Sequence, residues 1–378
     1  MTYLEHYLDN SATTRVYPQV AQKIYEILTE KYGNPSSLHL KGMEAENELE
    51  KARSIIAKSL SAQSEEIFFT SGGTEANNLA IMGAVKALKR RGNKIVATAY
   101  EHSSVHETLQ HLESEGFEVI YIKPDQSGQL NPADFEKAID NKTILVTVMA
   151  VNNELGTIAP LKEISKIIKK NNSSAIFHSD CVQAFCKIPL KLSVLGVDLA
   201  TVTAHKIHGP KGVGALYIKK GVRILPNTFG GEQEKKIRPG TEPLPLIAGF
   251  GEACKMVNIE KNYETVAELN AYAKEKLLAI EGVTLNSPEN ALPYIINISA
   301  NGVRSETMLH FLEERNIFVS SGSACAKGKP SHVLQAINLD RESADSALRI
   351  SFSSENTKED IDMLAENVTL GLKMLVKR

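Results

Sequence analysis

The sequence predicts an α/β protein with a seven-stranded, mostly parallel sheet and a smaller α/β domain beside it. Three observations carry that prediction. Short, nearly continuous apolar runs alternate with helical patterns up to about residue 218, as expected of strands covered on both faces. Glycine-containing turns separate several of these runs from the helices that follow. Polar and ionisable residues collect just after the runs, where open α/β sheets place their working groups.

Composition narrows the class further. A hydrophobic content of 42% with 23% charged residues is that of an ordinary globular protein, and 378 residues suffice for two domains. A net charge of -2 gives no electrostatic case for nucleic acid or an anionic membrane. No run approaches the roughly 20 apolar residues of a spanning helix, and the opening Met-Thr-Tyr-Leu-Glu-His has neither a basic nor an apolar leader region. The expectation is a cytoplasmic protein that binds neither membrane nor nucleic acid directly. Cys181, Cys186, Cys254 and Cys325 lack the paired spacing of a metal site, so reduced thiols and no metal are expected.

Taken in order, residues 7–14 (Tyr-Leu-Asp-Asn-Ser-Ala-Thr-Thr) form a small, polar stretch that suits a crossing loop. A helix from about Pro18 to Tyr32 is bounded by Pro18 and Gly33, and a second spans Glu44 to Leu60 with apolar residues at helical spacing. Ile67 to Thr70 reads as a buried strand. The Ser71-Gly72-Gly73-Thr74 turn and the helix after it are either a phosphate site made of backbone N–H groups or a plain capped turn. Further strands are expected at 94–98, 118–122, 143–150, 175–178, 198–203 and 214–218, with helices at 104–115 and 161–170. Beyond residue 258 the pattern gives helices at 266–280 and 306–315 around a strand at 294–298.

The strand ends carry Thr74, then Glu101-His102, then Asn152-Asn153-Glu154, then Asp180 and Gln183, and finally Thr203, His205 and Lys206. Lys206 sits in a tight turn between two apolar runs, which puts its ammonium either at the mouth of a strand in water or in a site that uses it. Pyridoxal phosphate needs a lysine for its aldehyde, an ionised carboxylate for its pyridine nitrogen, donors for its phosphate and a flat partner for its ring. Lys206, Asp180, the Gly73-Thr74 helix start with Thr203 and His205, and His102 supply one candidate for each.

In these motifs the chain resembles the cysteine desulfurases of the NifS and IscS type, pyridoxal-phosphate enzymes of fold type I in the class V aminotransferase group. The resemblance runs almost end to end, through residues 7–14, 33–37 (Gly-Asn-Pro-Ser-Ser), 69–78, Glu101-His102, 151–156 (Val-Asn-Asn-Glu-Leu-Gly), 178–183 and 204–212. It implies that Lys206 binds the cofactor and later removes the substrate Cα proton. Asp180 would meet the pyridine nitrogen, Gln183 the phenolic oxygen and His102 the ring face, with Gly73, Thr74, Thr203 and His205 at the phosphate. Thr241 would reach the phosphate of the partner subunit, which makes the enzyme a homodimer with shared sites. Asn153, Arg349 and Asn34 would grip the carboxylate of L-cysteine.

The stretch 320–334 contains Ser-Gly-Ser-Ala-Cys-Ala-Lys-Gly-Lys, a small-residue loop whose Lys327 and Lys329 favour a thiolate at Cys325. It resembles the persulfide-carrying loop of the family, so Cys325 would take the substrate sulfur and leave alanine. The acceptor would be a scaffold or other sulfur-accepting protein, in iron–sulfur cluster or tRNA-thiolation pathways. Selenocysteine lyase and small-substrate aminotransferase are the same-fold alternatives. A catalytically idle scaffold is the alternative from another class. Thr203 and Pro239 depart from the commoner Ser and Ser or Gly, and the chain ends at Arg378 soon after its final helix, so the docking tail the resemblance implies is expected to be short or absent. The expected large domain spans residues 14–258, and the small domain 1–13 and 259–378 with the cysteine loop 321–334.

Overall fold

Residues 5–172, 174–321 and 331–375 are described by the computed structural model. After a short strand β1 (His6–Tyr7), seven strands make the large sheet: β2 (Ile67–Thr70), β3 (Lys94–Thr98), β4 (Glu118–Ile122), β5 (Thr143–Thr147), β6 (Ile176–Asp180), β7 (Leu199–Thr203) and β8 (Gly214–Ile218). Their order is β2-β8-β7-β6-β5-β3-β4. Most of these strands are built mainly of Val, Ile, Leu, Phe and Ala, and six of the seven are buried throughout; β4, at one edge, is half-exposed, whereas β2 at the other edge is covered.

Every pair in the sheet is parallel except those of β8, which runs antiparallel to both β2 and β7. The cause is the short connection 204–213. A parallel return needs a crossover of roughly a dozen residues or more, so the chain turns back beside β7 instead. Lys206 therefore lies in a tight turn clasped between two strands, not at the start of a crossover helix.

Helix α1 (Pro18–Thr29) starts at its proline, and α2 (Leu40–Ser59) starts earlier than the apolar period suggests, because the His39 side chain caps it by accepting from Gly42 N–H. Both pack on the helix Leu244–Met256. The crossing is close: a Cβ on Gly251 would lie 2.9 Å from the Ala52 backbone. On the other face, α3 (Gly73–Leu88) and α4 (Ser103–Ser114) cover the sheet through Leu79, Ile81, Val105 and Leu109. Among the described residues no helix is long and apolar enough to cross a membrane.

The remaining strands are β9 (Val283–Leu285), β10 (Ile295–Ala300), β11 (Ile317–Phe318), β12 (Ser320–Ser321) and β13 (Ala347–Ser351). Four of them form an antiparallel sheet in the order β12-β13-β10-β9, while β11 pairs in parallel with β1. The N-terminal segment then crosses to the large sheet, where Thr14 N–H donates to the His205 carbonyl at 2.9 Å. It is this crossing that brings residues 9–14 against the Lys206 turn.

One further contact fixes a segment near Thr241. Glu234, Lys235 and Lys236 all take left-handed backbone angles, with φ of 46°, 54° and 66°, although non-glycine residues are rarely found there. The buried Glu234 carboxylate accepts from both Arg53 guanidinium nitrogens at 3.0 and 2.8 Å and from Phe69 N–H at 2.8 Å. These charge-assisted bonds offset the backbone strain.

Candidate active site

The carboxyl ends of β5, β6 and β7 and the N-terminal crossing segment converge on Lys206. Its ammonium donates to the carbonyls of Ser11 and Ala12, at 2.5 and 2.7 Å. Both acceptors belong to the segment 7–14, whose small side chains let the backbone come close. Next to it, the Gln183 amide donates to the same Ser11 carbonyl at 3.0 Å.

Asp180 ends β6 and is buried. Its carboxylate accepts from Val182 N–H at 3.0 Å and from Asn77 Nδ2 at 2.7 Å. Asn77 also donates to Ser104 Oγ at 2.8 Å, and Ser104 Oγ lies 2.9 Å from His102 Nδ1. His102 caps α4, with Nδ1 accepting from Ser104 N–H at 3.1 Å, so the proton of the neutral ring is assigned to Nε2. Burial lowers the His102 pKa, with Lys206, His332 and Arg349 adding repulsion and Asp180 opposing them. Burial likewise holds His205 at about 4, helped by Lys206 and Lys211. Both imidazoles are neutral near pH 7.

Arg349 on β13 closes the other side. It donates to Asp9 Oδ1 at 2.8 Å and to the Asn153 carbonyl at 3.2 Å. Among the described residues its Nε and the Asn153 side-chain oxygen are buried without a hydrogen-bond partner, as are Ser11 Oγ, Asn77 Oδ1 and Glu101 Oε2. Buried polar atoms are seldom left so; Ser11 belongs to the segment that holds Lys206, Asn77 bonds Asp180, and Lys206, Arg349 and Asp180 all act on the same His102 ring, so these atoms mark a place for a polar ligand. Burial raises the Glu101 carboxyl to about 8, against hydrogen bonds from Thr98 and Met149 N–H, so it is neutral at pH 7.

Among the other predicted site residues, Thr203 is buried and its hydroxyl donates to the Val213 carbonyl at 3.2 Å. The start of α3 adjoins the Asp180 turn: a Cβ on Gly73 would lie 3.2 Å from the Val182 side chain. Gly72 gives that helix no side-chain cap, Thr74 is exposed there, and Glu75 is paired with Arg238 at 2.8 Å. Asn34 and Thr241 are both exposed in the protomer, Asn34 in a local turn in which it accepts from Ser36 N–H. Cys325 lies outside the described residues, as does most of the loop expected at 321–334.

The C-terminal flank of that loop is described. Ser331 donates to Glu154 Oε2 at 2.6 Å, and His332 Nε2 donates to the Glu101 carbonyl at 2.7 Å. The other thiols are buried, and burial raises Cys181 to about 12 and pushes Cys254 well up. Among the described residues no grouping of His, Cys, Asp and Glu is arranged to hold a metal ion.

Sequence reasoning missed Asp9, Ser11, Asn77, Ser104 and Lys187. Asp9 and Ser11 lie in the polar stretch 7–14, whose composition suggests a crossing loop, and Asn77 and Ser104 sit in the first turns of helices that follow strands.

Residues 6–364 match the family described as aminotransferase class-V. The chain is 44% identical over 364 residues to "Cysteine desulfurase IscS" of Dictyoglomus turgidum, covering 95% of this chain and 92% of that one. It is 41% identical to the protein of the same description from Methanosarcina thermophila, covering 96% and 90%. A solved structure described as "NIFS-LIKE PROTEIN" superposes with a TM-score of 0.94 at 38% identity, over 98% of this chain and all of that one. Another, "SspA in complex with cysteine", gives 0.83 at 35% identity over 94% of this chain and 100% of that one. The chain therefore belongs to the class-V aminotransferase family and, within it, to the cysteine desulfurases.

Proposed function

We propose that this pyridoxal-phosphate-dependent cysteine desulfurase holds its cofactor at Lys206 and passes the sulfur of L-cysteine to Cys325, releasing alanine. The observation that carries the reading is the convergence of Lys206, Asp180, Gln183 and His102 around buried polar atoms that lack partners.

The residues present suit the cofactor. The uncapped start of α3 at Gly73 and Thr74 offers N–H donors and a positive dipole end to a phosphate, and Thr203 and the neutral His205 flank it. Asp180, oriented by Asn77, suits a pyridinium nitrogen. Gln183 suits the phenolic oxygen, and the neutral His102 ring a stacking partner. When bound, pyridoxal phosphate supplies an electron sink for charge developing at the substrate Cα.

Arg349 and Asn153 bind the carboxylate of L-cysteine, which joins Asp9 on a guanidinium that is already desolvated. Asn34 is assigned to the same carboxylate. The Lys206 amine takes the Cα proton, the usual work of a positioned base. Cys325 receives the sulfur as a persulfide. Ser331 and His332 anchor the end of its loop to Glu154 and Glu101. The domains are assigned to residues 14–258, and to 1–13 with 259–378.

The active form is read as a homodimer in which Thr241 completes the partner's phosphate site. Supporting this, Tyr32, Leu38 and Leu40, close together along the chain, and Phe229 leave large apolar side chains exposed at 68, 100, 77 and 88%, surface that an interface would cover. Sedimentation should show a dimer, and Leu40→Glu should shift it toward monomer; a wild-type monomer with full activity overturns this part. The unpaired thiols suit a reducing cytoplasm, with iron–sulfur assembly or tRNA thiolation as the destination.

Incubation with L-cysteine and a thiol reductant tests the whole reading. Alanine and sulfide should appear in equal amounts, and unequal yields overturn it.

A further inference from the structure

Lys187 lies outside the set that the family resemblance marks, yet it is buried against it. Its ammonium donates to Gln183 Oε1 at 3.0 Å and stands 5.4 Å from the centre of the Tyr294 ring. The cavity between it and Lys206 measures only about 30 Å³, so bulk water does not solvate the charge. Retaining a buried cation costs stability, and no catalytic step proposed above uses it.

The hydrogen bonds around Gln183 show what it does. An ammonium only donates and a carbonyl only accepts. Lys187 on one side and the Ser11 carbonyl on the other therefore leave a single orientation for the Gln183 amide, oxygen toward Lys187 and nitrogen toward Ser11. The same Ser11 carbonyl holds Lys206. With one N–H on Ser11, the second N–H of Gln183 is the donor that remains for a ligand.

We propose that Lys187 is a positioning residue that fixes the Gln183 amide, turns its N–H toward the phenolic oxygen of the cofactor and strengthens that donor by its charge. This rests on the cofactor reading above. The charges of Lys206 and Arg349 repel the Lys187 ammonium, while His205, His208, Cys186 and Tyr294 are the nearby titratable groups. Burial, reinforced by that repulsion, holds Lys187 at about 7 without ligand. An anionic oxygen at Gln183 favours the protonated amine, and by linkage the protonated amine favours the anion.

The test is a pH titration of the visible absorption band of the purified holoenzyme, with no turnover required. Lys187→Met should move the midpoint upward by about one pH unit, the scale of one charge-assisted hydrogen bond, and Lys187→Arg should stay near wild type. In a Gln183→Leu background, Lys187→Met should add nothing. An unmoved midpoint in Lys187→Met, or an equal shift with Gln183 already replaced, overturns the proposal. Thermal unfolding of the apo form gives a second readout: unchanged or raised stability of Lys187→Met supports positioning, and a large loss points to a structural role and overturns it. If wild-type protein shows no visible band with pyridoxal phosphate, the cofactor reading itself fails.

Discussion

Lys206→Ala removes alanine release from L-cysteine and the visible band of bound cofactor together, with kcat/KM falling by roughly 10²–10⁴-fold or more. The size of the effect follows from the site. Lys206 is held by two backbone carbonyls at the mouth of β7, and the nearby Lys187, whose ammonium it repels, is committed to Gln183. In the proposed mechanism, replacement leaves no base over the substrate Cα and no amine for the cofactor aldehyde. Loss of the band with folding intact, checked by circular dichroism, separates this from collapse of the fold. Turnover retained within tenfold of wild type would show that Lys206 is not the base.

Cys325→Ala should halt sulfide and alanine formation from L-cysteine, lowering kcat by at least about 10²-fold, the scale of losing an essential nucleophile. The cofactor band should remain, because Lys206, Asp180 and His102 are untouched. The other cysteines offer no replacement: Cys181, Cys186 and Cys254 are buried, and burial keeps Cys181 and Cys254 as thiols. Continued alanine formation in this variant would overturn sulfur transfer through Cys325 and favour an aminotransferase-type reaction. The two variants thus divide the chemistry, one at the cofactor and one at the sulfur.

The strands of the large sheet are legible in the sequence because a strand covered on both faces needs little but apolar side chains. The bounds of β3, β4 and β8 are those the apolar runs predict. The direction of β8 is not legible in the same way. Periodicity carries no information on parallel or antiparallel pairing, and only the shortness of 204–213 encodes it. The run expected at 143–150 stops short, at Thr147, and the one expected at 175–178 extends to Asp180, because register with neighbouring strands decides where pairing stops.

Site residues show the same division. Lys206, Asp180 and His102 follow strands, so the topology alone delivers them to one edge. Ser11, which holds Lys206, lies 195 residues away along the chain, and no local pattern announces such a contact. Asn77 and Ser104 act through another side chain, which spacing does not show. Asn34 and Thr241 are exposed in one protomer; a partner surface, if it uses them, is not encoded in the fold of a single copy.

The ion pair of Arg53 and Glu234 bears on how two copies would meet. Because it fixes the left-handed run 234–236 within the protomer, the segment leading to Thr241 is ordered before any encounter. Flexible segments that order only at an interface subtract roughly 1–2 kcal/mol per residue of backbone entropy from the affinity. Here that cost is met during folding, so in the dimer proposed above association would be rigid-body docking of a preshaped arm.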